Sequence, residues 1–335
     1  MRTDLRAFMN NNRNLVQLII ITLLIFILMS VLKPGKFLSY YNFDSISFSF
    51  PELGLLSIAM MVAMLTGGID LSVVAVANLA AVLAGKLFAV LIAGQDLSVG
   101  GQLMYVGLGL GVSILVGIVA GMINGFLITG LGITPILCTM GTGQLFTGIS
   151  LVVTGGPAIV GFPALWSAIG NERIFGLAVP FVIFVVIAGA TAFILSKTPF
   201  GVRLMLIGAN PKAALFSGIQ KGRVIFYSYV FTGFLASITG IIMSGRTNAA
   251  KSDYGSSYVL QAVLIAVLGG TNPGGGFGTV LGVTIAVIAL MFLSSGFQFM
   301  RFSNFLVDFI WGSFLLVIMV VNYYNNKRAS KRGKK

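Results

Sequence analysis

The chain has no histidine and a single cysteine in 335 residues. Without histidine there is no triad built on an imidazole base, no imidazole metal ligand and no imidazole proton relay. Cys138 lies inside an apolar run, which excludes both a disulfide and a thiolate metal cluster. Charge is scarce: 9% of residues are Asp, Glu, Lys or Arg, against about 25% in an ordinary soluble domain, and only eight are acidic. No G-x-x-x-x-G-K-[ST] loop occurs, so the chain carries no nucleotide site of that kind.

What is present is apolar. Hydrophobic residues make up 57% of the sequence and the mean hydropathy is +1.01, a composition that places the chain in a membrane. The net charge of +13 would suggest nucleic acid in a soluble protein. Here the basic residues flank apolar runs, so they mark topology and contacts with anionic lipid, and no nucleic-acid role is expected.

With about 20 residues needed to cross a bilayer, apolar runs near 15–32, 51–66, 71–93, 101–129, 133–154, 177–196, 225–245, 258–270, 278–297 and 303–322 predict an all-α integral membrane protein of about ten spans. The first run leads into Lys33-Pro34-Gly35-Lys36 with no small-residue cleavage site and is read as a retained span. With the N-terminus in the cytoplasm, fourteen of the 21 basic residues fall inside: Arg2, Arg6 and Arg13; Lys197, Arg203, Lys212, Lys221 and Arg223; Lys327, Arg328, Lys331, Arg332, Lys334 and Lys335. The expected plan is therefore a cytoplasmic segment 1–14, six spans in 15–196, a cytoplasmic loop 197–224, four spans in 225–322 and a basic cytoplasmic tail 323–335.

Shifting the chain by 185 residues lays DLSVVAVANLAAVLAG (70–85) over GSSYVLQAVLIAVLGG (255–270), with identity at eight of sixteen positions, Ser72 over Ser257 among them. The span count runs the two segments through the membrane in opposite directions. The expectation is an inverted repeat of five plus five spans, a plan common among transporters.

Three motifs stand out. Gly107, Gly111, Gly117, Gly121 and Gly125 recur every four or six residues and predict a small-residue helix face for close packing, with Asn124 beside it as the one polar group able to line a path. LGGTNPGGGFG (268–278) lacks the lysine and hydroxyl of a phosphate loop and is read as a tight connection. Asp70 in TGGIDLS is read as an N-cap or gate at the head of the third span ahead of a coupling-ion site, Lys86 as a snorkelling side chain or one buried against a partner helix ahead of a substrate contact, and Asp308 as able to reach the interface.

One stretch is different in kind. In GVRLMLIGANPKAALFSGI (201–219), Gly208-Ala209 is expected to break the preceding segment. Asn210 then caps, Pro211 takes the first helical position, and Gly218 ends a helix of about two turns. So short a helix is marginal alone; Ala213, Ala214, Leu215 and Phe216 are expected to need a partner surface, and their small, alanine-rich face suits a protein groove better than the alternative of a helix lying on lipid.

TGGIDLS, the 201–219 loop and AVLGGTNPGGGFGTVLG (266–282) resemble the permease subunits of bacterial ABC importers for monosaccharides, the ribose, xylose and galactose class that includes autoinducer-2 importers. The resemblance covers roughly residues 50–322; Val73-Val74 stands where family members commonly have Val-Gly. It implies a short cytoplasmic coupling helix with Gly208, Asn210, Pro211, Ala213, Ala214, Leu215 and Gly218 as its working residues. It also implies cytoplasmic ATPase subunits that bind ATP and Mg in place of this chain, a second permease copy or paralogue, and an extracytoplasmic sugar-binding protein. Candidates along the pathway are Asp70, Ser72, Asn78, Asn124 and Ser257. The expected solute is a monosaccharide such as ribose, with autoinducer-2 as the alternative within the family and an ion-coupled secondary carrier as the alternative outside it. The expected location is the bacterial inner membrane, with both termini cytoplasmic.

Overall fold

Backbone polar groups have no water to bond in hydrocarbon, so an apolar chain folds into helices that satisfy them internally. A computed structural model describes residues 13–92 and 99–332 in this form. In order the helices are α1 (Arg13–Leu32), α2 (Pro34–Phe37), α3 (Tyr40–Leu65), α4 (Val73–Leu91), α5 (Val99–Thr129), α6 (Pro135–Thr154), α7 (Ala164–Asn171) and α8 (Val179–Lys197). They continue as α9 (Pro199–Ala209), α10 (Pro211–Phe216), α11 (Lys221–Thr247), α12 (Tyr258–Leu268), α13 (Val280–Phe299) and α14 (Asn304–Arg332). The strands are two-residue clips: β1 (Ile159–Val160) pairs antiparallel with β4 (Ala249–Ala250), and β2 (Arg173–Ile174) with β3 (Leu177–Ala178). Arg2, Arg6, Lys334 and Lys335, assigned above to the cytoplasm, lie outside the described residues.

Eight helices among the described residues are long and apolar enough to cross a membrane, two fewer than the ten expected. The run at 258–270 yields only the 11-residue α12, because Gly269-Gly270 and Asn272-Pro273 stop it. In α14 the apolar portion is Phe305–Val317, and the helix continues through the basic stretch expected to be a separate tail, since no proline or glycine interrupts residues 313–332.

The second span starts earlier than its hydropathy suggests. Residues 40–50, YYNFDSISFSF, are helical because their hydroxyls bond the helix's own carbonyls: Ser47 Oγ donates to Asp44 O at 2.7 Å and Ser49 Oγ to Ser45 O at 2.9 Å. Ser39 caps this helix by accepting from Asn42 N–H at 3.3 Å.

The core is built around α3 and α11. From Leu53 to Leu65 the side chains of α3 are almost wholly buried, and α11 packs against α3, α4 and α5. Helix α12 lies against α3, α13 against α3 and α1, α6 against α4, and α14 against α12. Close approach of α5 to α11 rests on glycine: a Cβ on Gly117 would meet Gly233 O and one on Gly121 would meet Tyr229 O, while one on Gly125 would stand 2.9 Å from the Phe226 ring. The expected five-glycine face is divided, however, because Gly107 and Gly111 have nothing within 4 Å. Helix α1 is largely exposed, touching α13 through Met29, which lies over Gly296.

Candidate coupling and translocation sites

The 197–224 loop is an elbow of two helices. In α9, Gly201, Leu204 and Ile207 are buried and fix the helix to the bundle. Asn210 then leaves the helical region at φ −152° and accepts from Ala213 N–H at 3.0 Å, Pro211 opens α10, and Gly218 closes it at φ +75°. The cap, the proline and the terminating glycine stand where the sequence placed them. The preceding helix α9 ends at Ala209, so the break falls at Gly208-Ala209 as expected, and the missing side chain of Gly208 also serves packing. One expectation is corrected. Ala214 does not face a partner: it is 3% exposed, turned into this chain's own core, while Leu215 and Phe216 are 65% and 91% exposed. A six-residue helix shows one face inward, and here Ala214 takes it.

Gly208 sits at a crossing of three backbones. A Cβ there would strike Leu65 O and Gly276 N, and one on Gly275 would stand 2.7 Å from Gly208 Cα and 2.9 Å from Gly67 N. Gly276 N–H donates to Leu65 O at 2.9 Å. Gly275 and Gly276 adopt φ of +95° and +88°, which the 268–278 loop reaches only with glycine. Asn272 closes that loop, its Nδ2 donating to Gly275 O at 2.9 Å and its N–H to Phe277 O at 2.9 Å. The segment is the tight connection the sequence suggested.

The 66–72 turn carries a buried polar network. Asp70 Oδ1 accepts from Ser72 N–H at 3.1 Å and Ser72 Oγ at 2.6 Å, and Oδ2 accepts from Thr232 Oγ1 at 2.6 Å. Asn124 Nδ2 donates to Ser72 Oγ at 2.8 Å, Thr142 Oγ1 to Asn124 Oδ1 at 2.6 Å, and Leu71 N–H to Thr139 Oγ1 at 3.1 Å. Asp70 is therefore not the N-cap of α4. Ser72 occupies that position, and the Asp70 carboxyl instead ties the turn to α11. Beside it the Tyr229 hydroxyl is buried without a hydrogen-bond partner, close to Gly68.

Asp70, Ser72 and Asn124 are thus brought together, whereas Asn78 and Ser257 stand apart. Asn78 Nδ2 donates to Ser252 O at 3.1 Å and Tyr254 O at 2.9 Å, pinning the 248–257 loop to α4. Ser257 is at the N-cap position of α12 without a side-chain capping bond. Thr139, Thr142 and Thr232 were missed because hydroxyls in apolar runs look like ordinary helix residues; their spacing carries no signal. Lys86 is exposed, so no helix of this chain buries it. Asp308 is exposed too.

Two cavities flank this network. One of about 320 Å³ is lined by Leu71, Ala75, Asn78, Gln144, Thr147 and Ser256 among others. The other, about 510 Å³, is lined by Gly67, Gly68, Thr129, Thr134, Pro135 and Lys221 among others.

A second charged site escaped the sequence. Glu52 is fully buried in α3 and receives Arg246, from the last turn of α11, through Nε at 2.6 Å and Nη2 at 3.1 Å. Arg246 Nη2 also donates to Tyr254 Oη at 3.2 Å. Burial first, then the Glu52 charge, raise the Tyr254 hydroxyl above its ordinary range, so it stays neutral and accepts this bond.

A bundle of membrane-length helices, a solvent-facing elbow and cavities on both sides of a buried polar turn define a multi-pass transport protein of the permease type. Residues 42–321 match the family described as branched-chain amino acid transport system / permease component, and the chain belongs to that family. It is 31% identical over 274 residues to the autoinducer 2 import system permease protein LsrD of Yersinia pestis (strain Pestoides F), covering 80% of this chain and 79% of that one. The same figures hold for the LsrD protein of Yersinia pseudotuberculosis serotype I (strain IP32953). No solved structure matches.

Proposed function

We propose that this chain forms the membrane pathway of an ATP-driven importer and receives the motion of a partner ATPase at α10. The carrying observation is Phe216: a phenylalanine 91% exposed on a six-residue helix, next to Leu215, in a chain without a phosphate loop. That pair is the size of a helix anchor in a protein groove. ATP and Mg belong to the ATPase, which acts by favouring one permease conformation over another. An extracytoplasmic binding protein delivers the solute, and a second permease copy or paralogue completes the path.

The solute in this reading is a small polyhydroxylated molecule, a monosaccharide such as ribose or the autoinducer 2 named for the Yersinia relatives. The amide and hydroxyl groups of Asn78, Gln144, Thr147 and Ser256 around the 320 Å³ cavity suit such a solute. The ten-crossing inverted repeat also belongs to this reading, with both termini in the cytoplasm of the inner membrane. Two features support it. Helices α4 and α12 start 185 residues apart, at Val73 and Tyr258, the offset of the sequence match. Packing also exchanges under the repeat: α3 on α12 answers α11 on α4, α3 on α13 answers α11 on α5, and α4 on α6 answers α12 on α14.

The test is reconstitution of this chain with its co-encoded ATPase and binding protein in vesicles. ATP-dependent accumulation of one pentose, hexose or autoinducer 2 is expected, and a thermal shift of the binding protein by the same solute identifies it. Accumulation driven by a proton or sodium gradient without ATP overturns the reading, and so does accumulation of amino acids alone.

A further inference from the structure

The two cavities lie on opposite sides of one septum, and two separate segments cross it in the same order. Along α6, Thr134 and Pro135 at its start face the 510 Å³ cavity, Thr139 and Thr142 enter the Asp70 network, and Gly143, Gln144 and Thr147 face the 320 Å³ cavity. Along the 66–72 turn, Gly67 and Gly68 face the larger cavity, Asp70 is bonded to α11, and Leu71 with Ala75 beyond it faces the smaller. The larger cavity includes Lys221, on the side of the α9–α10 elbow; the smaller includes Ser252 and Ser256, on the side of the 248–257 loop. Asp70, Ser72, Asn124 and Thr142 between them are nearly inaccessible.

The same turn is in backbone contact with the elbow. Gly208 lies two residues before Asn210, the cap of α10, and touches both Leu65 at the end of α3 and the Gly275–Gly276 backbone, which in turn touches Gly67. Side chains repack and absorb small displacements. Backbones in direct contact have no such give, so a shift of α9 is passed to Gly275 and Gly67.

We propose that the 66–72 turn is the barrier of the solute path, that the 320 Å³ cavity holds a polyhydroxylated solute above it, and that Gly208 drives the turn when α10 is moved. The proposal rests on the permease reading above. Asp70, Ser72, Thr232, Asn124 and Thr142 act as its latch: Thr232 holds the turn to α11, and Asn124 with Thr142 holds it to α5 and α6. Gly208 is a positioning residue that never meets the solute.

The experiment uses the whole importer in vesicles. In a Cys138→Ala background, Gln144→Cys and Thr129→Cys are labelled with a membrane-impermeant maleimide added to either face without ATP. Labelling of each from one face only, and from opposite faces, is expected; labelling of both from the same face overturns the barrier. Gly208→Ala is expected to keep the ATPase bound and hydrolysing while ribose or autoinducer-2 uptake falls about tenfold. Uptake at the parent rate overturns the drive. Should Gly208→Ala not reach the membrane, Thr232→Val decides. It keeps the side chain's volume and removes the hydroxyl bonded to Asp70, so the solute should equilibrate across vesicles without ATP, and vesicles that stay tight overturn the latch. A parent importer that moves neither solute points instead to the permease reading, so the two failures are distinguishable.

Discussion

Glu52 and Arg246, 194 residues apart, form a two-bond ion pair in which the carboxylate has no exposure at all while the arginine side chain keeps 26%. The pair joins α3 to α11, the two helices on which the rest of the bundle packs. Removing Arg246 leaves the Glu52 charge buried and unpaired, which costs about 3–5 kcal/mol, whereas removing Glu52 leaves a partly exposed arginine that water still reaches and costs less. Arg246→Met should lower the unfolding temperature in detergent sharply, and Glu52→Gln should lower it less. The double variant Glu52→Met/Arg246→Met should recover most of the loss, because no charge is left stranded. A double variant less stable than both single ones would show that the pair does more than neutralise itself.

Glycine on α5 has two different roles, and one substitution separates them. Gly121→Val places a branched side chain against Tyr229 O, separating α5 from α11 and straining a packed core by about 1–3 kcal/mol. A Cβ on Gly107 meets nothing within 4 Å, so Gly107→Val is the control. Abundance in the membrane and resistance to heat should drop for the first and stay near the parent for the second.

Asn78→Leu deletes two hydrogen bonds to the carbonyls of Ser252 and Tyr254 while keeping the branching of the side chain. Two backbone acceptors lose their partner, at about 1–3 kcal/mol for each that remains buried. The 248–257 loop should become markedly more sensitive to added protease, with the cut mapping to that loop and not to the 268–278 connection.

How much of this was readable beforehand follows from the range of each signal. The α10 cap was legible because Asn210, Pro211 and Gly218 act within one turn of themselves. Helices α4 and α12 could be aligned because Ser72 and Ser257 precede similar apolar stretches. The onset of α3 was not legible: its serines score as polar, and only the folded helix shows them bonded to their own backbone. Glu52 sits beside Pro51 at the edge of an apolar run, and nothing near it in sequence announces Arg246. The Asp70 network was half visible, since Asp70 and Asn124 are conspicuous in an apolar chain while Thr139, Thr142 and Thr232 are common helix residues. Which face of α10 turns outward is set by contacts from distant helices, and so Ala214 was assigned to the wrong side.

That last point yields a paired test of docking. Phe216→Glu changes a side chain that touches little of this chain, so the helices should insert at parent levels while the charge enters the groove of the ATPase. Ala214→Glu does the reverse, forcing a carboxylate into a position 3% exposed and destabilising the elbow itself. At equal permease abundance, Phe216→Glu should lose co-purifying ATPase by about tenfold or more, the effect of truncating an anchor worth roughly 1.4–2 kcal/mol. Ala214→Glu should first lower permease abundance and thermal stability. Leu215→Ser should weaken ATPase binding less than Phe216→Glu, since a smaller exposed side chain is removed and no charge is added. If Phe216→Glu retains the ATPase as well as the parent does, α10 is not where the ATPase docks, and the exposed phenylalanine must serve another surface.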